Sequence, residues 1–162
     1  MKIFRCLFLS IYCFCMMSLQ AKADGIPTQV QDSLKSFYPE VEDVIWSKDL
    51  NYYVADFQTD GFETRMWFTA AGNWSMKQVD WGTLDEVPTE VYNAFVSSDY
   101  SDAEVLNVTW VVFARWQSLV VIEVGKPNLE SKYQLFYTPQ GELLRVRDVT
   151  NLYNILGAST FL

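Results

Sequence analysis

Apolar and polar residues alternate along Asn51–Thr59, with Tyr53, Ala55 and Phe57 set against Tyr52, Val54, Asp56 and Gln58. That is the period-2 signature of a strand. Asp60-Gly61 follows at once and predicts a two-residue type I′ hairpin, whose central residues both need positive φ. The chain returns along Phe62–Thr69, with Thr64, Met66 and Phe68 on one face and Glu63, Arg65 and Trp67 on the other. A second turn over Ala70–Asn73 contains Gly72, and Trp74–Val79 makes a further strand. Ahead of these runs lie a short strand at Val44–Trp46 and a stripe of Val30, Leu34 and Phe37. Spacing of i, i+4, i+7 predicts a helix over Thr28–Tyr38. Pro27 suits its start and Pro39 its end, because a proline forces the residue before it out of the helical region.

The pattern then restarts. Val87-Pro88-Thr89-Glu90-Val91 answers Ile26-Pro27-Thr28-Gln29-Val30, and Asn107–Trp110 answers Asp43–Trp46. Trp116–Val124, Lys132–Tyr137 and Leu143–Val149 read as strands, joined by a loose turn over Gly125–Glu130 and a tight one over Pro139–Gly141. Tyr133–Leu143 (YQLFYTPQGEL) echoes Phe62–Trp74 (FETRMWFTAAGNW). The period is too long for a solenoid repeat, so it predicts a duplicated subdomain. Repeat one spans 26–80 and repeat two 87–149, each a helix with about four antiparallel strands, in an α+β fold. Gly82–Glu86 links them, and an extension at 150–162 carries Leu152, Ile155 and Leu156 as a short helical stripe ended by Gly157.

The N-terminus is of another kind. Lys2 and Arg5 precede an apolar run, Cys6–Met17, and Ala21-Lys22-Ala23 offers a small-x-small cleavage site. A dozen or so apolar residues fall short of the roughly 20 that span a bilayer. Residues 1–23 are therefore predicted to be a signal peptide, leaving one domain at 24–162 in the periplasm or secreted, with no membrane insertion after cleavage. All three cysteines (Cys6, Cys13, Cys15) lie in that segment, and the chain has no histidine. This excludes Cys–His and Ser–His–Asp catalysis and the usual Zn, Cu and haem ligand sets. Without Lys2, Arg5 and Lys22, 9 basic residues face 20 acidic ones, a net charge of −11. Such a charge repels nucleic acid and anionic lipid and suits a cationic protein partner or Ca²⁺.

Ile26-Pro27, Tyr38-Pro39, Val44–Trp46, Tyr53–Phe57 and Phe68–Trp74 occur in that order, with a weaker second set from Val87 to Leu143. Together they resemble the PepSY-like family of exported bacterial proteins, also described as β-lactamase-inhibitor-like. The resemblance covers nearly all of 24–162. It implies a single curved antiparallel sheet with the helices on one face. Related PepSY modules are associated with restraining peptidases, which fits an inhibitor-like role. The non-enzymatic expectation rests on the residues themselves, which show no nucleophile–base pairing, phosphate loop or metal triad.

With the helices on one face, alternation assigns Tyr53, Ala55, Phe57, Met66 and Phe68 to the covered side. Tyr52, Val54 and Trp67 then face the other way, joined by Leu119, Val121 and Phe136 from the second copy. These six form the expected binding surface for a protein or peptide partner, as in an inhibitor, with Trp67 as its anchor. The alternative is a face buried by the C-terminal segment, the linker or a second copy of the chain. Asp99, Asp102 and Glu104 form an acidic group with oxygen ligands suited to Ca²⁺, matched by Glu40, Glu42 and Asp43. They motivate a rival reading as a structural or ligand-sensing envelope protein responsive to calcium. Trp74, Trp110 and Trp116 are expected in the core.

Overall fold

The computed structural model describes residues 25–126, 130–151 and 156–162. The expected signal peptide, the tip of the Gly125–Glu130 turn and the Leu152–Ile155 part of the C-terminal stripe lie outside the described residues.

Helix α1 (Thr28–Phe37) begins where the Pro27 carbonyl accepts from Val30 N–H and Gln31 N–H, at 3.0 and 3.2 Å. It stops at Tyr38, whose extended φ of −135° is the conformation that Pro39 imposes on its predecessor. Four strands follow: β1 (Ile45–Asp49), β2 (Tyr52–Thr59), β3 (Phe62–Phe68) and β4 (Trp74–Asp80). A 3₁₀ turn at Leu84–Glu86 leads to α2 (Thr89–Val96), opened by Pro88 as α1 is by Pro27. Then come β5 (Glu104–Phe113), β6 (Leu119–Lys126), β7 (Ser131–Tyr137), β8 (Leu143–Asp148) and a short α3 (Ala158–Phe161).

The eight strands form one curved antiparallel sheet in strict chain order, β1 to β8, with few helices. Asp60 (φ 53°) and Gly61 (φ 83°) both sit at positive φ, as the type I′ hairpin requires. The two echoing stretches build the same turn. Thr69 N–H donates to Asn73 O and Gly72 N–H to Thr69 O, while Thr138 N–H donates to Glu142 O and Gly141 N–H to Thr138 O, all at 2.9 Å. Each turn glycine lies against the start of a helix: a Cβ would meet Gln29 O at 2.5 Å from Gly72, and Glu90 O at 2.5 Å from Gly141. Glycine is required there by close approach as well as by φ.

Both long helices lie on one face. Val30 and Leu34 of α1 pack on Ala55, Phe57, Met66 and Phe68. Val91 and Phe95 of α2 pack on Val108, Val120, Ile122, Leu135 and Tyr137. Fully burying such side chains stabilises by about 1.5–3 kcal/mol each, so both helix stripes are fixed by the sheet rather than by propensity. Trp74 and Trp110 join these clusters. Trp116 does not: it sits in the bend between β5 and β6 and is 72% exposed, so the expected core position is corrected. The strand starts at Leu119, not at Trp116.

Candidate functional site

The face opposite the two long helices, called the helix-free face because α1 and α2 leave it bare, is built by rows of residues paired across the strands. One row runs Val54↔Trp67↔Met76↔Phe113, and beside it lie Val111↔Leu119 and Val121↔Phe136. Toward the Asp60-Gly61 end the rows turn polar: Asp56↔Arg65↔Gln78, then Gln58↔Glu63↔Asp80↔Thr109, with Asn107↔Glu123↔Gln134 alongside. One face of one sheet thus has an apolar half and a polar half.

The expected binding residues all fall in the apolar half, and the alternation assigns every one of them to the correct face. They do not form an open surface. Trp67 is 1% exposed, and Val54, Val121 and Phe136 are no more than 2% exposed, while Tyr52 and Leu119 are partly buried. The C-terminal segment covers them. Phe161 sits edge-on to Phe113 and Phe136, at 5.4 and 5.9 Å between ring centres, and Leu156 and Ala158 complete the contact. An apolar block of this extent is unfavourable in water, so the chain's own end shields it. The open-face expectation is therefore corrected.

Polar contacts fix the cover in register. The Asp49 carboxylate Oδ2 accepts from the Trp67 indole Nε1 at 2.9 Å and from Ala158 N–H at 2.6 Å. A Cβ at Gly157, the residue before α3, would meet Asp49 Oδ2 at 2.9 Å, so a larger residue there would push the carboxylate out of place. Gln78 Nε2 donates to Leu156 O at 3.1 Å, and Arg147 Nη1 to Thr160 Oγ1 at 3.2 Å. Asp49 was not singled out in the sequence, because nothing local connects a strand-end aspartate to residues 109 positions away.

The polar half stays open as a groove of about 1000 Å³. Its floor carries Asp56, Glu63, Asp80 and Glu123, with Glu42 and Asp43 also in its lining and Leu156 at the border with the cover. Among the described residues Arg65 is the only cation of the lining, and it is paired with Asp56. Gln134 is 1% exposed: its Nε2 donates to Glu123 Oε2 at 3.1 Å, while Oε1 has no partner among the described residues. Thr64 Oγ1 and Tyr137 Oη are likewise buried without partners. Sequence reasoning left Glu123 and Gln134 aside. The available signal was a charged or amide residue interrupting an apolar run, as in Val120-Val121-Ile122-Glu123-Val124.

The calcium group is not assembled. Asp99, Asp102 and Glu104 are all exposed around the loop after α2, and no cluster of three or more His, Cys, Asp or Glu able to hold a metal ion exists among the described residues. No helix among the described residues is long and apolar enough to cross a membrane.

The sequence matches no family model and no curated protein. Solved structures do match. A DUF2874 family protein from Bacteroides uniformis shares 55% identity, with 84% of this chain aligned to 99% of that one at a TM-score of 0.82. This chain belongs to the DUF2874 family. A Bacteroides eggerthii protein described as periplasmic is 57% identical over 84% of this chain and 98% of its own, also with a TM-score of 0.82. A BLIP-like protein from Bacteroides fragilis is 32% identical over 80% and 92%, with a TM-score of 0.74. This DUF2874 chain therefore has a BLIP-like fold.

Proposed function

We propose that this DUF2874 protein is a non-catalytic binding module of the periplasm that takes a segment of a protein partner, as an inhibitor does, in the open polar half of its helix-free face. The groove of about 1000 Å³ carries this reading, because it is the part of that face that the C-terminal segment leaves uncovered. Similarity to a protein described as periplasmic supports the compartment, and similarity to a BLIP-like protein supports the inhibitor-like role. A chain without histidine supports the non-catalytic reading. The six residues expected to touch the partner act instead as the seat of the cover, beside the groove on the same face. We also read residues 1–23 as a cleaved signal peptide. The two helix-plus-four-strand halves are read as tandem PepSY-like units, on the matched turns at Gly72 and Gly141.

Site-specific photo-crosslinking tests the proposal. A photoreactive residue at Gln58, exposed on the groove floor, should capture one defined envelope protein, whereas one at Tyr92, exposed on α2, should not. The captured protein, once purified, should shift amide signals of the groove strands. Equal capture from both positions, or none from Gln58, overturns it.

A further inference from the structure

The groove's own chemistry goes further than the reading on which it rests. We infer that the partner segment is basic, and that it delivers a lysine ammonium or arginine guanidinium to the acceptors of Glu123 and Gln134.

Charge gives the first argument. Among the described residues six carboxylates line the groove against one guanidinium, and that guanidinium is already committed to Asp56, lying also 5.8 Å from the centre of the Trp67 ring. The whole chain carries a net charge of −8, so its field draws cations towards this face.

Hydrogen bonding gives a second, independent argument. A carboxylate only accepts, so the group that Gln134 turns to Glu123 must be its amide NH₂. This fixes the orientation of the amide and leaves its carbonyl oxygen as a buried acceptor with no donor among the described residues. Buried polar groups are satisfied in the great majority of proteins, and an orphan calls for an explanation. Here the residue that carries the orphan, Gln134, lines the groove beside the Glu123 carboxylate. Two adjacent acceptors, the Glu123 carboxylate and the Gln134 carbonyl oxygen, are the complement of an NH₃⁺ or guanidinium group, which donates several hydrogen bonds and accepts none.

The spread of the carboxylates decides between a metal ion and an organic cation. No three are clustered closely enough to hold a metal among the described residues. Glu63 on β3 pairs with Asp80 on β4, and Glu123 stands on β6. Strands lie about 4.8 Å apart, so from β3 to β6 the acceptors span roughly 14 Å. An extended peptide rises about 3.3 Å per residue, which matches basic residues about four positions apart and exceeds the reach of one point charge.

The test uses the purified protein and fluorescence anisotropy with labelled short peptides: one with two lysines four apart, a glutamate counterpart and a neutral counterpart. Unlabelled spermine serves as a small polyamine competitor. The lysine peptide alone should bind, more weakly as salt rises. Glu123→Gln should weaken it about tenfold or more, since a charged hydrogen bond is lost. Gln134→Leu should weaken it similarly while the thermal melt stays cooperative. Glu63→Gln, on the exposed hairpin and safe for folding, should weaken it by roughly two- to fivefold. If the glutamate or neutral peptide binds the groove as well, or Glu123→Gln and Glu63→Gln change nothing, the cationic ligand is overturned while the binding module stands. Spermine binding without lysine-peptide binding overturns the peptide class. If no peptide binds and Gln58 captures nothing, the groove reading falls too.

Discussion

The two halves of the helix-free face share strands, curvature and alternation, yet meet opposite fates. In the apolar half, Val54, Trp67, Met76 and Phe136 are sealed beneath the C-terminal segment. In the polar half, Asp56, Glu63 and Asp80 of the same strands stay in contact with water. The difference teaches that a face is not one functional unit. Where side chains are apolar, the chain supplies its own partner; where they are charged, the space is left for something else.

Replacing Trp67 by Ala should have the largest effect on this contrast. Truncating a fully buried tryptophan costs about 3–5 kcal/mol, and the denaturation midpoint should fall accordingly. A loss under about 1 kcal/mol would break the comparison, because the covered half would then not be core. Asp49→Ala should come next. It leaves the Trp67 indole and the Ala158 amide without their acceptor, at about 1–3 kcal/mol, and proteolysis of the C-terminal segment should quicken. In the open half, Gln58→Ala should change stability by no more than about 0.5 kcal/mol, as at other surface positions. The equilibrium unfolding curve checks this directly.

The smallest effect belongs to pH, on the helix-covered side that serves as reference. Burial pushes the Tyr137 phenol above its ordinary value of 10.0, and Ser98, close but outside hydrogen-bond geometry, opposes this less. A raised folded value favours the protonated phenol in the native state. The contribution is thus complete below about pH 10 and is lost as pH rises through the folded value. Unfolding curves at pH 8 and pH 10.5 should differ for the wild type, and less for Tyr137→Phe.

Much of this architecture was legible because it is local. The stripe of Val30 and Leu34, the Asp60-Gly61 turn and the alternation through Tyr53–Phe57 depend on neighbours in sequence. The PepSY-like resemblance anticipated the single sheet with helices on one face. What failed to show in the sequence is tertiary. Whether Trp67 is open or covered turns on Phe161 and Ala158, far along the chain, and no period announces that contact. Trp116 misled because an aromatic residue next to an apolar strand looks like its first residue, whereas Arg115–Gln117 bend away from the sheet. The groove was missed because its floor is built from rows across six strands, β2 to β7, and rows appear only once register is known. Glu123 and Gln134 were visible only as interruptions of apolar strands.

The strict chain order of the sheet also sets a sequence of events in time. Every strand pairs with its neighbour in the chain; all these pairs but β4–β5, which are joined through α2, close over short loops, so contact order in the sheet is low. The bond from Ala158 to Asp49 closes 109 residues at once. The sheet is therefore expected to assemble hairpin by hairpin, with the C-terminal segment docking after the rate-limiting step. Contacts made after that step govern the lifetime of the native state rather than the speed of reaching it. The cover acts as a kinetic lock on a sheet that can fold without waiting for it.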